Sequence, residues 1–145
     1  DARDVPAGQT RDYIFGYTIL NDVSARDVQT AHKQWYFGKS LDGFTPIGPC
    51  IVTADAFADY PPRLGIRSFV NGEKRQDSNT ALQIFDIDHV IVELSQGMTL
   101  KAGTIIATGT PAGVGMGMDP PQFLKPGDVV RCEIDGIGTL TNPVK

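Results

Sequence analysis

Between Asp86 and Gln96 the apolar positions Ile87, Val90, Ile91 and Leu94 fall at i, i+3, i+4 and i+7. That spacing predicts an amphipathic helix with one buried stripe, capped by Asp86 and stopped at Gly97. Elsewhere the pattern is shorter. Tyr13, Ile14, Phe15, Tyr17 and Ile19 mix the helical and alternating periods, which predicts a short helix running into a strand, with the joint at Gly16. Pro49 to Ala54 predicts a buried strand. Ile66 to Val70 followed by Asn71-Gly72 predicts a hairpin over 65–76, because Asn-Gly supplies the positive φ angles of a type I′ turn. Thr104 to Thr108, Asp128 to Ile134 and Gly138 to Thr141 predict further strands, the last two joined by Asp135-Gly136. From Leu20 to Phe44 both periods break down and Trp35, Tyr36 and Phe37 are interleaved with polar residues. An irregular segment is expected there, and irregular segments on a rigid scaffold are where sites are built. The sum is a mainly β domain with short helices (α+β), its sheets rolled or sandwiched.

Composition narrows the class. A chain of 145 residues with 41% hydrophobic and 21% charged content can bury one core, so a single domain over 1–145 is expected. Sixteen glycines and ten prolines suit short strands and many turns. A net charge of -4 without a lysine or arginine run gives no electrostatic reason for nucleic acid or an anionic membrane as partner. No apolar stretch reaches membrane-spanning length, and Asp1-Ala2-Arg3-Asp4 lacks the order of a signal peptide. A soluble, cytoplasmic protein with a small-molecule partner is expected. Cys50 and Cys132 lie in strand-like apolar contexts without metal-type spacing, which predicts buried free thiols. The first methionine is Met98, so a longer product with an upstream segment is expected.

Two apparent motifs fail on spacing. Gly38-Lys39-Ser40 lacks the earlier glycine of a phosphate loop, that place being Lys33. Gly113 to Gly117 lacks dinucleotide-binding spacing and is followed by Asp119-Pro120-Pro121 where a helix should run. A bend close to a ligand or a neighbouring chain fits it better, and Met116 and Met118 suit a subunit contact. Asn21-Asp22-Val23-Ser24-Ala25-Arg26-Asp27-Val28-Gln29 follows an apolar strand. A carboxylate at a strand end can ligate a hard cation, and an arginine four residues on can grip a substrate carboxylate. By residue type alone the same stretch is more commonly just an ordinary turn.

That stretch is followed in order by Gln34-Trp35, by Phe37 to Phe44 (Phe-Gly-Lys-Ser-Leu-Asp-Gly-Phe) and by Pro46-Ile47-Gly48-Pro49. Arg75 to Thr80, Ala107 to Pro111 and Leu124 to Asp128 continue the series. The whole resembles the signature of the fumarylacetoacetate hydrolase family, across nearly the full chain. The resemblance implies the family's carboxyl-terminal fold and a Mg²⁺ ion, with Mn²⁺ or Ca²⁺ as substitutes, for which Asp22 is one ligand. It also implies that Arg26, Gln29 and Thr110 contact substrate or shape its pocket, and that Lys39 lies beside the keto oxygen where charge develops. A homodimer is the expected assembly, and a small 2-keto acid or dioate the expected substrate, with breakdown of aromatic compounds as one setting.

The sequence departs from the family in ways that bear on the reaction. The family's upstream Glu-x-Glu pair is absent, the three glutamates being Glu73, Glu93 and Glu133. Glu133-Ile134-Asp135 is a weak substitute, since Asp135 opens a turn. Asp86 and Asp88 diverge on the helix. His32 and His89 are expected in packing or surface roles, and Asp27 as a structural partner for an arginine or backbone amides. Gly43 stands where many members have threonine. The leading expectation is Mg²⁺-dependent hydrolysis of a C–C bond in an acylpyruvate or fumarylpyruvate, through a stabilised enolate. Oxaloacetate decarboxylation and 2-hydroxyhepta-2,4-diene-1,7-dioate isomerisation use the same core, and a non-catalytic metal-binding, metabolite-binding or dimerisation module is the alternative of another class.

Overall fold

A computed structural model describes residues 1–145, the side chain of His32 excepted. After a single 3₁₀ turn at Thr10–Tyr13 come β1 (Gly16–Leu20), α1 (Arg26–His32) and β2 (Ile47–Thr53). The hairpin β3 (Gly65–Val70) and β4 (Glu73–Asn79) follows, then α2 (Ile87–Gly97), β5 (Val129–Ile134) and β6 (Gly138–Pro143). β1 and β2 form a two-stranded antiparallel sheet, and a second antiparallel sheet has the order β4-β3-β5-β6. This is the mainly β, short-helix architecture that the pattern predicts.

Local chemistry explains the elements that match. Asn71 and Gly72 have φ of 52° and 86°, the two positive angles of a type I′ turn. Asp86 caps α2 by accepting from the His89 amide at 2.8 Å. The buried stripe of α2 centres on Ile91, which joins Ala2 and Val5 in a core also packed by Ile14, Ile87, Leu100 and Ile106. Beyond the turn at Asn71-Gly72 the β3–β4 register slips: Phe69 faces Lys74, but Ser68 faces Gln76, so Arg75 is an extra, bulged residue. The two sheets meet where β2 crosses β6. Cys50 Sγ reaches the Ile137 carbonyl at 3.7 Å, and a Cβ on Gly138 would lie 3.3 Å from the Pro49 ring.

Four expectations are corrected. Residues 104–108 form no strand; Ile106 packs on the core while Ile105 is 56% exposed, so the apolar run marks docking without a ladder. β2 is a strand but not a buried one, because a two-stranded sheet covers only one of its faces, and Ile47 and Ile51 remain exposed. The segment 20–44 is not wholly irregular, since α1 lies inside it. Its seven residues are too few to display a period, and Thr30 ties its hydroxyl back to the Arg26 and Asp27 carbonyls. Cys50 is exposed, whereas Cys132 is partly buried and burial pushes its thiol pKa up.

Candidate active site

β1 delivers the chain to Asn21, whose amide donates to the Pro46 carbonyl at 3.0 Å; the Val23 amide then closes on the Asn21 carbonyl at 2.9 Å. This tight turn leaves the Asp22 side chain exposed. α1 starts four residues later with Ala25 in an extended conformation at its N-cap. Ala25 cannot cap with its side chain. Its own amide instead donates to the Gly38 carbonyl at 2.8 Å, which docks the second motif segment against the first.

Gly38 is the joint of that docking. It is buried, and a Cβ there would lie 2.9 Å from the Gln29 amide nitrogen and 3.0 Å from the Ala25 carbonyl oxygen. Only glycine lets the two backbones approach so closely. The next residue, Lys39, consequently lies over the turn after β1. Its ammonium donates to the Asp22 carboxylate and, at 3.2 Å, to the Ser24 hydroxyl. The two side chains are 26% and 37% exposed, so the pair is open to an incoming ligand. An ammonium carries three N–H donors, and these two contacts leave one for a further acceptor.

On α1, Arg26 Nη1 donates to Gln29 Oε1 at 2.9 Å. Gln29 is only 7% exposed, so it serves as the fixed post and Arg26 as the partly exposed guanidinium it steadies. Asp22, Ser24, Arg26, Gln29 and Lys39 thus belong to one cluster, joined through Gly38. Thr110 belongs to another: its hydroxyl accepts from Gln76 Nε2 at 2.8 Å, and no hydrogen bond or ion pair among the described residues links it to Lys39 or Asp22.

The remaining candidates take structural parts. Glu133 pairs with Arg131 at 3.1 Å and Asp135 with Arg67 at 2.8 Å, which accounts for both carboxylates without a metal. Asp86 caps α2, and Asp88 accepts from the Tyr60 hydroxyl at 2.8 Å. His89 stacks on Phe85 with ring centroids 4.6 Å apart; the His32 side chain lies outside the described residues. Asp27 is exposed in the first turn of α1 and holds no arginine or backbone amide among the described residues. The glycine-rich bend is packed against its own chain. A Cβ on Gly113 would overlap the Arg75 carbonyl, one on Gly115 the Gln122 carbonyl, and Met118 is partly buried with its sulfur 3.1 Å from Arg75 Nη1.

A hard divalent cation is commonly held through one or two carboxylates completed by substrate oxygens and waters. Among the described residues no group of three His, Cys, Asp or Glu side chains is placed to hold a metal ion. The described donors therefore form no cage, and the exposed Asp22 carboxylate, paired with Lys39, would offer a single ligand position.

The model of the fumarylacetoacetate hydrolase carboxyl-terminal domain matches residues 1–145. The chain belongs to that family. Relatives of this fumarylacetoacetate hydrolase-family domain include the oxaloacetate tautomerase YisK of Bacillus subtilis, 52% identical over 92% of the chain and 44% of the relative. A fumarylacetoacetate hydrolase from Exiguobacterium antarcticum superposes with a TM-score of 0.95 at 52% identity, over 99% of this chain and 51% of that one. The 2-hydroxyhepta-2,4-diene-1,7-dioate isomerase of Mycobacterium marinum follows at 0.86 and 47%, over 98% and 52%. The chain thus spans about half the length of these relatives. Enzymes of this family act as tautomerases and isomerases as well as hydrolases, and they generally use a divalent metal.

Proposed function

We propose that this domain supplies the enolate-stabilising part of an active site that moves a proton on a small 2-keto acid, interconverting keto and enol forms of an oxaloacetate-like dioate. The observation that carries the reading is the Lys39 ammonium, fixed by Asp22 and Ser24 with one donor still to give. Deprotonation next to a keto group places negative charge on the keto oxygen, and a preorganised cation at that oxygen lowers the barrier. Lys39 is that cation. As negative charge builds on the keto oxygen, Lys39 stays paired to Asp22, so the site meets that charge without rearranging. Arg26, braced by Gln29, grips a substrate carboxylate, and Thr110 takes a second one.

Asp22 would contribute one ligand to Mg²⁺, with Mn²⁺ or Ca²⁺ as substitutes. When bound, such a cation would act as a Lewis acid toward the keto-acid oxygens. Identity of 52% to a tautomerase and 47% to an isomerase supports the proton-transfer reading. C–C hydrolysis of an acylpyruvate or fumarylpyruvate is the second reading, supported by 52% identity to a fumarylacetoacetate hydrolase, and oxaloacetate decarboxylation the third. We further propose a cytoplasmic homodimer; no helix among the described residues is long and apolar enough to cross a membrane.

The test is a direct competition of reactions using the full-length protein with Mg²⁺. Enol oxaloacetate is followed by its ultraviolet absorbance, acetylpyruvate and fumarylpyruvate by loss of the diketo chromophore, and pyruvate release is assayed by coupling. Accelerated enol–keto conversion, abolished by chelation, is expected. Cleavage of an acylpyruvate without tautomerisation would replace the first reading by the second, and no turnover of any of these compounds would overturn them all.

A further inference from the structure

The motif residue Gln76 has no role in the reading above, yet its side-chain amide nitrogen makes two hydrogen bonds to the segment that carries Thr110, while its oxygen is held from β3. Its Nε2 donates to Thr110 Oγ1 at 2.8 Å and to the Pro111 carbonyl at 2.7 Å, while its Oε1 accepts from Ser68 Oγ at 2.8 Å. We infer that Gln76 is a positioning residue that fixes the Thr110 hydroxyl as a hydrogen-bond donor, and so sets this end of the site to take an anionic oxygen. The inference rests on the proposed contact between Thr110 and a substrate carboxylate.

The chemistry allows one polarity. The Pro111 carbonyl can only accept, so the nitrogen of the Gln76 amide must face it. The same nitrogen then donates its second hydrogen to Thr110, whose oxygen acts as acceptor. With its acceptor side engaged, the Thr110 hydroxyl keeps its own hydrogen to give away. Carboxylate oxygens are acceptors only, and Thr110 is exposed where such a group can arrive. Ser68 closes the chain by donating to the Gln76 oxygen, which opposes rotation of the amide.

This arrangement depends on the bulge. With regular pairing beyond Asn71-Gly72, Ser68 would face Arg75; the extra residue puts Gln76 there instead. Arg75, displaced by the bulge, turns to Met118 and Gln122 and holds the far side of the loop that begins at Thr110. One irregularity therefore assigns Gln76 to the near end of the loop and Arg75 to the far end.

The experiment compares Gln76→Glu, Thr110→Ala and the double variant in the full-length enzyme, with kcat and KM measured separately and thermal midpoints as a control. An ionised glutamate accepts from Thr110 and turns its hydroxyl hydrogen away from substrate. KM is expected to rise by about tenfold or more in Gln76→Glu with kcat changed much less, as for one lost hydrogen bond to a charged group. In the Thr110→Ala background the same change is expected to have little further effect on KM. Wild-type KM in Thr110→Ala would overturn the Thr110 contact and this inference with it. A raised KM in Thr110→Ala beside a wild-type KM in Gln76→Glu would overturn the positioning role alone. Additive KM effects would do the same, since they would mean that Gln76 does not act through Thr110.

Discussion

Lys39 shows how much one side chain's neighbours decide. By sequence it is a lysine between a glycine and a serine, as easily a solvated surface charge as a catalytic group. The structure gives it an acidic partner and a hydroxyl, and that fixed geometry distinguishes a preorganised charge from a mobile one. Lys39→Met in the full-length enzyme is expected to lower turnover by about a hundredfold or more, corresponding to about 3 to 4 kcal/mol of transition-state stabilisation. Steady-state kinetics at saturating substrate checks this, and wild-type turnover would remove Lys39 from the mechanism. The variant should melt close to wild type, because a partly exposed ion pair contributes little to folding. Titration adds another expectation at this scale. Burial raises the pKa of the Cys132 thiol and of the Tyr17 and Tyr60 hydroxyls above their ordinary values of 9.0 and 10.0. A raised folded-state value means that the folded chain holds its proton more tightly than the unfolded one. The stabilisation is whole below pH 9 and is lost as pH rises through the unfolded and then the folded values. Urea unfolding between pH 8 and 11 should show falling stability, and a flat profile would contradict this.

Elements of this protein matter chiefly for where they end. β1 stops at a turn that projects Asp22, α1 begins without a side-chain cap, and the link between them and Lys39 is the buried Gly38. Gly38→Ala puts a methyl group 2.9 Å from the Gln29 amide nitrogen, inside normal contact distance. Overpacking of this kind costs about 1 to 3 kcal/mol. The expected result is a lowered thermal midpoint together with a loss of turnover larger than the fraction unfolded explains, because the shift moves Lys39 away from Asp22. Turnover equal to wild type per folded molecule would show that the docking is not required. The hairpin makes a related point: Asn71-Gly72 specifies the turn, but the bulge at Arg75 decides which side chain stands opposite Ser68.

For the whole molecule the telling quantity is surface. The chain exposes 9519 Å², against about 7,300 Å² for a compact monomer of this mass. Large apolar side chains lie on this surface: Ile84 is 93% exposed, Tyr36 80% and Phe15 74%. Isolated apolar residues on a surface are ordinary, but so many large ones on so small a core mark faces made to be covered. Sedimentation equilibrium of the full-length protein is expected to give a dimer at micromolar concentration. A monomer at every concentration would rule out the homodimer.

Several features are legible in the sequence itself. The α2 period, its Asp86 cap, the Asn-Gly hairpin and each segment of the motif series are local, because each depends on residues within a few positions of one another. From them followed the mainly β class and the family, which the domain match and the structural relatives bear out. The residues absent from that reading are those whose meaning lies in distant partners. Ser24 and Gln76 stood in motifs without a role until Lys39 and Thr110 were placed beside them, contacts that span 15 and 34 positions. Burial at Cys50 and along β2 departs from the sequence expectation for the same reason: an apolar strand reveals its period, but only packing decides whether anything covers its outer face. Sequence determined which segments turn, cap and pair locally. Tertiary structure decided which side chains meet, because a one-residue bulge or one missing Cβ redirects contacts that no local period encodes.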